Sequence, residues 1–171
     1  AIQVQINEKA GISYSIGLKA ALRHDPDIIM IGEIRDAETA RIAVRAALTG
    51  HLILSTMHAK DGIGAVRRLL EFGVDQEEVK QTLLAVTSQR LLELDCPYCE
   101  GDCSPYCLMT RDRDRVSVHE LIYGTELAKI WDSIEGKNPD LGYKDLPAII
   151  GRAVAYGFVR EKEYERWVHE I

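Results

Sequence analysis

Apolar and polar positions along the chain fall into three kinds of pattern: strict alternation, helical stripes and short unbroken apolar blocks. Residues 1–6 read AIQVQI, with Ile2, Val4 and Ile6 on one side, which predicts a half-buried strand. Asn7 to Gly11 reads as a turn. Ser13 or Ser15 can cap a helix running through Arg23, with Leu18, Ala21 and Leu22 at helical spacing. Asp25-Pro26-Asp27 breaks that helix, because proline disfavours helical geometry in the residue before it. Ile28, Ile29, Met30 and Ile31 then follow without a polar residue. A short apolar block bounded by breakers predicts a strand buried on both faces, as in parallel α/β sheets.

Asp36 as N-cap and Gly50 just past the C-terminus bracket a helix with the apolar stripe Ala40, Ala43, Val44, Ala47 and Leu48. Glu38, Arg41 and Arg45 share another face, either solvated or, in a ring of subunits, turned to a neighbour. Leu52, Ile53 and Leu54 make the next buried strand. This strand–helix–strand order predicts a right-handed crossover and a parallel pair, so both carboxyl ends share one sheet edge. Lys60-Asp61-Gly62 is a turn, Ile63 to Phe72 a helix stopped by Gly73, and Gln76 to Leu84 a helix opened by Asp75. Ser88 to Leu92 leads into a cysteine segment. Arg115 to Leu121 alternates, with Val116, Val118 and Glu120 on one face, and predicts a strand. Thr125 caps a helix through Ile134, and residues 136–139 form a loop. Leu146 to Tyr156 and Glu161 to Ile171 predict two closing helices joined around Gly157, with Tyr156, Phe158, Tyr164 and Trp167 as packing residues.

The 171 residues suffice for one domain with a proper core. A net charge of -6 argues against a basic nucleic-acid-binding surface. No apolar run reaches the length of a membrane span, and no signal-peptide pattern opens the chain. The chain starts at Ala1 in mid-pattern and reads as a piece of a longer protein, cut inside a domain.

Gly32 and Glu33 stand at the carboxyl end of the first apolar block, where open α/β sheets bind ligands. Gly32 lets a ligand approach the backbone. A carboxylate there can hold Mg²⁺ through water or orient an attacking water in phosphoryl transfer. On strand and acid alone, a polar strand end or an ion-pair partner explains Glu33 more simply. Thr56 and His58 follow the second block, so they share a crevice with Glu33. An imidazole can donate a hydrogen bond to a phosphate oxygen or simply cap a strand. His51 precedes its strand and falls at the opposite sheet edge, while His24, His119 and His169 have no motif around them. Arg35 can pair with Glu33 or Asp36, or reach across an interface.

The longer pattern LRHDPDIIMIGEIRD over Leu22–Asp36, with Thr49-Gly50-His51, Leu54-Ser55-Thr56-Met57-His58 and Gln89-Arg90-Leu91, resembles the type II/type IV secretion ATPases. The resemblance covers Gln3 to Cys107 well and the C-terminal third more loosely. It implies a RecA-like P-loop NTPase fold of the α/β class lacking its N-terminal P-loop part, followed by a small zinc loop and a helical C-terminal subdomain. The implied boundaries are an ATPase core over 1–94, a cysteine-rich loop over 95–108 and a mostly helical part over 109–171. It assigns Glu33 to the Walker B element as the residue that positions the hydrolytic water, and His58 to a His box that senses phosphate. Gly32, Glu33, Thr56 and His58 would then face ATP and Mg²⁺. No G-x-x-x-x-G-K-[ST] phosphate loop occurs here, so it is expected upstream, and the fragment alone is expected to be inactive. The partners implied are a homo-hexamer, an inner-membrane platform protein and pilin-like machinery at the cytoplasmic face of the membrane. No direct nucleic-acid contact is implied.

Cys96, Cys99, Cys103 and Cys107 are all the cysteines of the chain, spaced C-x₂-C-x₃-C-x₃-C. Four thiolates this close can close a tetrahedral Zn²⁺ site; free thiols and disulfides are the alternatives. The compressed spacing resembles the competence pseudopilus ATPases of Gram-positive bacteria. A non-catalytic docking module, binding a membrane platform or partner through the zinc loop and closing helices, is the second functional reading.

Overall fold

In the computed structural model, which describes residues 2–99, 103–110, 113–137 and 142–169, the chain divides into two units, Ala1–Leu84 and Ala85–Ile171. In the first unit, strands β1 (Ile28–Ile31) and β2 (Leu52–Ser55) pair in parallel, Ile28 opposite Leu52 and Ile31 opposite Ser55. Helix α1 (Tyr14–Leu22) packs on β1, and α2 (Ala37–Leu48), the crossover, packs on β2 and on α1. Helices α3 (Gly62–Glu71) and α4 (Gln76–Thr82) complete the unit. Their starts follow from side-chain caps: Ser13, Asp36, Asp61 and Asp75 each accept a backbone N–H of the first turn.

The predicted burial of β1 and β2 on both faces is not what forms. Ile29 and Ile31 are buried, but Ile28 and Met30 are exposed, Met30 to 77%, and Leu52 and Leu54 lie exposed beside them. Helices cover one face of this pair, and its other face carries apolar side chains in the open. Nor do residues 2–6 form a strand: they run without a ladder partner, Ile2 and Val4 exposed and Ile6 half-buried. Alternation supplies two faces for a strand but not a neighbour to pair with. On α2 the inward face is rotated from the predicted stripe, with Thr39 and Ala46 buried and Leu48 exposed.

The second unit is built on a nine-residue antiparallel pair, β3 (Ala85–Glu93) with β4 (Arg115–Tyr123), Gln89 opposite His119. The residue pattern predicts no strand over β3 and extends the preceding helix to Leu84; the helix stops at Thr82 and the strand begins at Ala85. Val118, Glu120 and Ile122 turn inward on β4, and Leu92 on β3. Leu92, Ile150 and Val159 form a core flanked by Tyr164 and Trp167. Tyr156 and Phe158, predicted to pack, are exposed and meet each other edge to face, 6.2 Å between centroids. A short helix α5 (Pro105–Thr110) lies inside the cysteine segment. Thr125 is the first residue of α6 (Thr125–Ile134) rather than its cap; Gly124, with φ 57°, takes the cap position. Helix α7 (Leu146–Ala155) starts at Asp145, and α8 (Glu161–Tyr164) runs on as a π-turn over Glu165–His169. The end of the predicted last helix, Glu170 and Ile171, and part of the 136–139 loop lie outside the described residues. No helix among the described residues is long and apolar enough to cross a membrane.

These packings set expected stabilities. Ile150, 1% exposed in the second core, should lose about 2–5 kcal/mol on truncation to alanine. Asp36→Ala removes a cap to the Thr39 N–H (2.8 Å) and hydroxyl (2.8 Å) and should cost about 1 kcal/mol. Leu48→Ala, at an exposed position, should stay within about 0.5 kcal/mol of wild type. Urea denaturation of the three variants checks the order.

Candidate functional site

The parallel register determines what meets at the carboxyl edge of β1 and β2. Beyond Ile31 and Ser55, the Ile34 N–H donates to the Thr56 carbonyl (3.0 Å), and the Thr56 hydroxyl donates to the Gly32 carbonyl (2.6 Å). These bonds tie the two segments together for a further turn of chain. Ile34 goes into the core, and Glu33 on one side of it reaches Arg35 on the other in an ion pair. His58 approaches from the second segment, its Nε2 3.5 Å from Glu33 Oε2. The Glu33 side chain is 14% exposed and that of His58 98% exposed. The carboxylate is therefore sheltered and the imidazole is open to whatever enters the crevice.

The structure thus brings together Gly32, Glu33, Thr56 and His58, the residues picked from the sequence. It changes what two of them do. The Cβ-free side of Gly32 faces the Tyr14 hydroxyl, which lies 3.4 Å from where a Cβ would stand. Tyr14, at the first turn of α1, also carries the Arg35 guanidinium over its ring, 5.7 Å from the centroid. Sequence reasoning missed Tyr14, because nothing in the pattern of α1 shows which residue turns to the end of β1. Thr56 spends its hydroxyl proton on the Gly32 carbonyl and can only accept from a ligand. His51 is held away, its Nδ1 against the Ala46 carbonyl (3.0 Å) and Thr49 hydroxyl (3.1 Å) at the end of α2.

The hydrogen bond and charge of Arg35 hold the Glu33 carboxyl below the usual carboxylate range against the opposing effect of desolvation, and the charge of His58 acts in the same direction. Glu33 is an anion at neutral pH, able to accept a proton-bearing water but a weaker base than a free glutamate. A cavity of about 620 Å³ lies along β1 between α1 and the N-terminal residues, lined by Ile2, Val4, Ile6, Leu18 and Ile29 and reaching Tyr14 and Gly32.

The second cluster lies in the other unit. The sulfurs of Cys96, Cys99, Cys103 and Cys107 all lie within 4.8 Å of one another, and none forms a disulfide. Four sulfurs around tetrahedral Zn²⁺ at about 2.3 Å stand roughly 3.8 Å apart, and Cys99 and Cys103 are 3.7 Å apart. The Tyr98 N–H, with smaller help from Cys99 and Cys103, draws the Cys96 thiol down to about 7, towards the thiolate a metal needs. The donor set fits zinc. At the base of the loop Asp95 accepts the Cys96 N–H (3.0 Å) and pairs with Arg160 (2.7 Å), while the Asp95 N–H donates to the Phe158 carbonyl (2.9 Å).

With this geometry the solved structures of two ATPases agree in fold. The chain superposes on the Legionella pneumophila ATPase DotB at TM-score 0.66, 23% identical, over 93% of this chain and 43% of that one. The pilus retraction motor PilT, solved with bound ADP, gives 0.66 and 23% over 93% and 45%. The chain belongs to the type II/IV secretion system protein family, whose model matches residues 1–162. It is 52% identical to the competence protein ComGA of Bacillus subtilis over 98% of this chain and 48% of that protein. It is 41% identical to the protein transport protein HofB homolog of Haemophilus influenzae over 96% of this chain and 34% of that protein. The chain spans about half the length of the ComGA relatives it matches.

The cysteine geometry makes a direct prediction. The chain should take up one Zn²⁺, which should protect all four thiols from a thiol-titrating reagent, and Cys99→Ser should lower the affinity at least tenfold. Thiols that react at the same rate with and without Zn²⁺ would leave the free-thiol alternative standing.

Proposed function

We propose that this chain is the second half of a motor ATPase that drives assembly of a pilus-like structure for DNA uptake or secretion. The observation that carries the reading is the crevice: a sheltered, ionised Glu33 at the end of β1 faces His58 after β2. Support for the competence assignment comes from the ComGA relatives, and support for ATP as substrate from the ATPases that share the fold. In the intact protein the fold is RecA-like, with the core running to residue 94, the zinc loop over 95–108 and the C-terminal subdomain after it. The phosphate-binding loop and its lysine come from the preceding half, and this half without them is inactive.

Glu33 accepts a hydrogen bond from the attacking water and aligns it; His58, exposed to the crevice, donates to the terminal phosphate. Gly32 and Thr56 close the floor between them. Mg²⁺ bound with the nucleotide would neutralise phosphate charge, and Glu33 would be placed to hold it through water. Six copies form the ring, the ring works at the cytoplasmic face of the membrane on a platform protein, and zinc stiffens the cysteine loop. The motor moves pilin-like subunits and does not itself hold DNA.

In the intact parent, Glu33→Gln keeps the shape of the side chain, removes its charge and replaces one acceptor oxygen by an NH₂ donor. ATP turnover should fall about a hundredfold or more while nucleotide binding stays within a few-fold. His58→Ala should lose about tenfold in kcat. Equal turnover by wild type and Glu33→Gln would reject the catalytic reading and favour the docking module, for which cysteine substitutions, not Glu33, abolish partner binding.

A further inference from the structure

We infer that Arg35 is a positioning residue for Glu33: seated on the Tyr14 ring, it anchors one carboxylate oxygen and leaves the other turned to the crevice beside His58. The inference rests on the reading of Glu33 as the residue that aligns the attacking water. Its basis is the division of the carboxylate between two partners. Arg35 Nη2 takes Oε1, and His58 Nε2 stands 3.5 Å from Oε2. A glutamate has three side-chain torsions, and a carboxylate free to turn about them presents either oxygen to water in many directions. An arginine on Oε1 restrains the rotamer of the side chain and so the direction of the remaining oxygen.

Arg35 is itself held. Its guanidinium lies over Tyr14, 5.7 Å from the ring centroid, and Glu8 adds a weaker attraction from the turn before α1. Tyr14 in turn packs beside Gly32, its ring and hydroxyl atoms 3.4–3.9 Å from where a Cβ would stand. Between the pair, Ile34 is buried and its N–H is bonded to the Thr56 carbonyl (3.0 Å), so the backbone that carries Glu33 and Arg35 is pinned to the second strand segment. Tyr14, Gly32, Glu33 and Arg35 thus form one support, built from α1 and the end of β1. The lowered carboxyl of Glu33 has Arg35 as its largest cause, which agrees with the pairing. Arg35 is 58% exposed but its partner Glu33 only 14%, so replacing Arg35 leaves a sheltered carboxylate without its cation, and thermal melting reads that cost apart from turnover.

The role differs from that of an arginine on the nucleotide. A residue that binds phosphate changes nucleotide affinity, whereas one that aims Glu33 changes turnover alone. A misplacement of about 1 Å at a reacting group can cost about a hundredfold. Lysine can restore the charge on Oε1 but not the planar fork or the stacking on Tyr14.

The experiment uses the intact parent protein: Arg35→Gln, Arg35→Lys and Tyr14→Leu beside Glu33→Gln, with steady-state ATP turnover, binding of a fluorescent ATP analogue and thermal melting. The expected result is a tenfold or larger fall in kcat for Arg35→Gln at nucleotide affinity within twofold. Arg35→Lys should recover part of it, and Tyr14→Leu should fall between wild type and Arg35→Gln. Wild-type turnover in Arg35→Gln, while Glu33→Gln is inactive, overturns the inference and leaves the reading of Glu33 intact. Loss of nucleotide affinity in step with turnover overturns it by placing Arg35 on the nucleotide. Equal losses in the glutamine and lysine variants, tracking a lowered melting temperature, overturn it by making Arg35 a folding residue only. Turnover that survives in Glu33→Gln is a separate failure, of the reading on which the inference rests.

Discussion

Everything at the candidate site depends on the parallel pairing of β1 with β2. Four residue pairs set the register, and the Ile34 and Thr56 backbone bond and the Thr56 hydroxyl extend it past the last ladder rung. A slip of one residue would turn Ile29 and Ile31 out of the core and carry Glu33 to the far side of its strand. The buried pair Ile29 and Ile31, on the strand that packs against α1, therefore fixes the position of the Glu33 carboxylate. The crossover helix enforces the arrangement from outside. Asp36 starts it directly after the Glu33–Arg35 segment, and His51 closes its last turn directly before β2.

The same half of the molecule leaves apolar surface in the open. Ile28, Met30, Leu52 and Leu54 form an exposed row on the face of the sheet away from Ile29 and Ile31, and the apolar cavity beside β1 continues it. A two-stranded sheet is marginal by itself, and strands reading as unbroken apolar runs belong to sheets covered on both faces. This sits naturally with a chain that spans about half of its ComGA relatives.

The second unit is held by a different constraint. The cysteine loop leaves β3 at Asp95, and at that point the chain is tied to the segment between α7 and α8 by the Leu94–Val159 bridge, the Phe158 carbonyl and Arg160. Glu163, 2% exposed, accepts the Glu93 N–H (3.1 Å) and has Arg166 3.8 Å away, which accounts for a buried acid in an otherwise apolar core. These bonds anchor the chain directly before Cys96, the first of the four cysteines.

Much of this was legible from residue order. The breakers around Ile28–Ile31, the Asp36 and Asp75 caps, the β-α-β order and the cysteine spacing are local signals, and each names an element or a chemistry without knowledge of the fold. They place Glu33, Thr56 and His58 on one edge because a strand–helix–strand connection makes the two strands parallel, and parallel strands end on the same edge. What the order of residues could not decide is which neighbours arrive. The AIQVQI alternation forms no strand because pairing needs a partner, and β3 was missed because its mixed sequence becomes a strand only against β4. Tyr14 reaches Gly32 and Arg35 from a different element, and the burial of Glu120 and Glu163 comes from chain that packs on them from afar. Sequence fixes periodicity, caps and spacing because these act within a few residues; which face is covered, and which residue backs the Glu33–Arg35 pair, are settled only by contacts between distant segments.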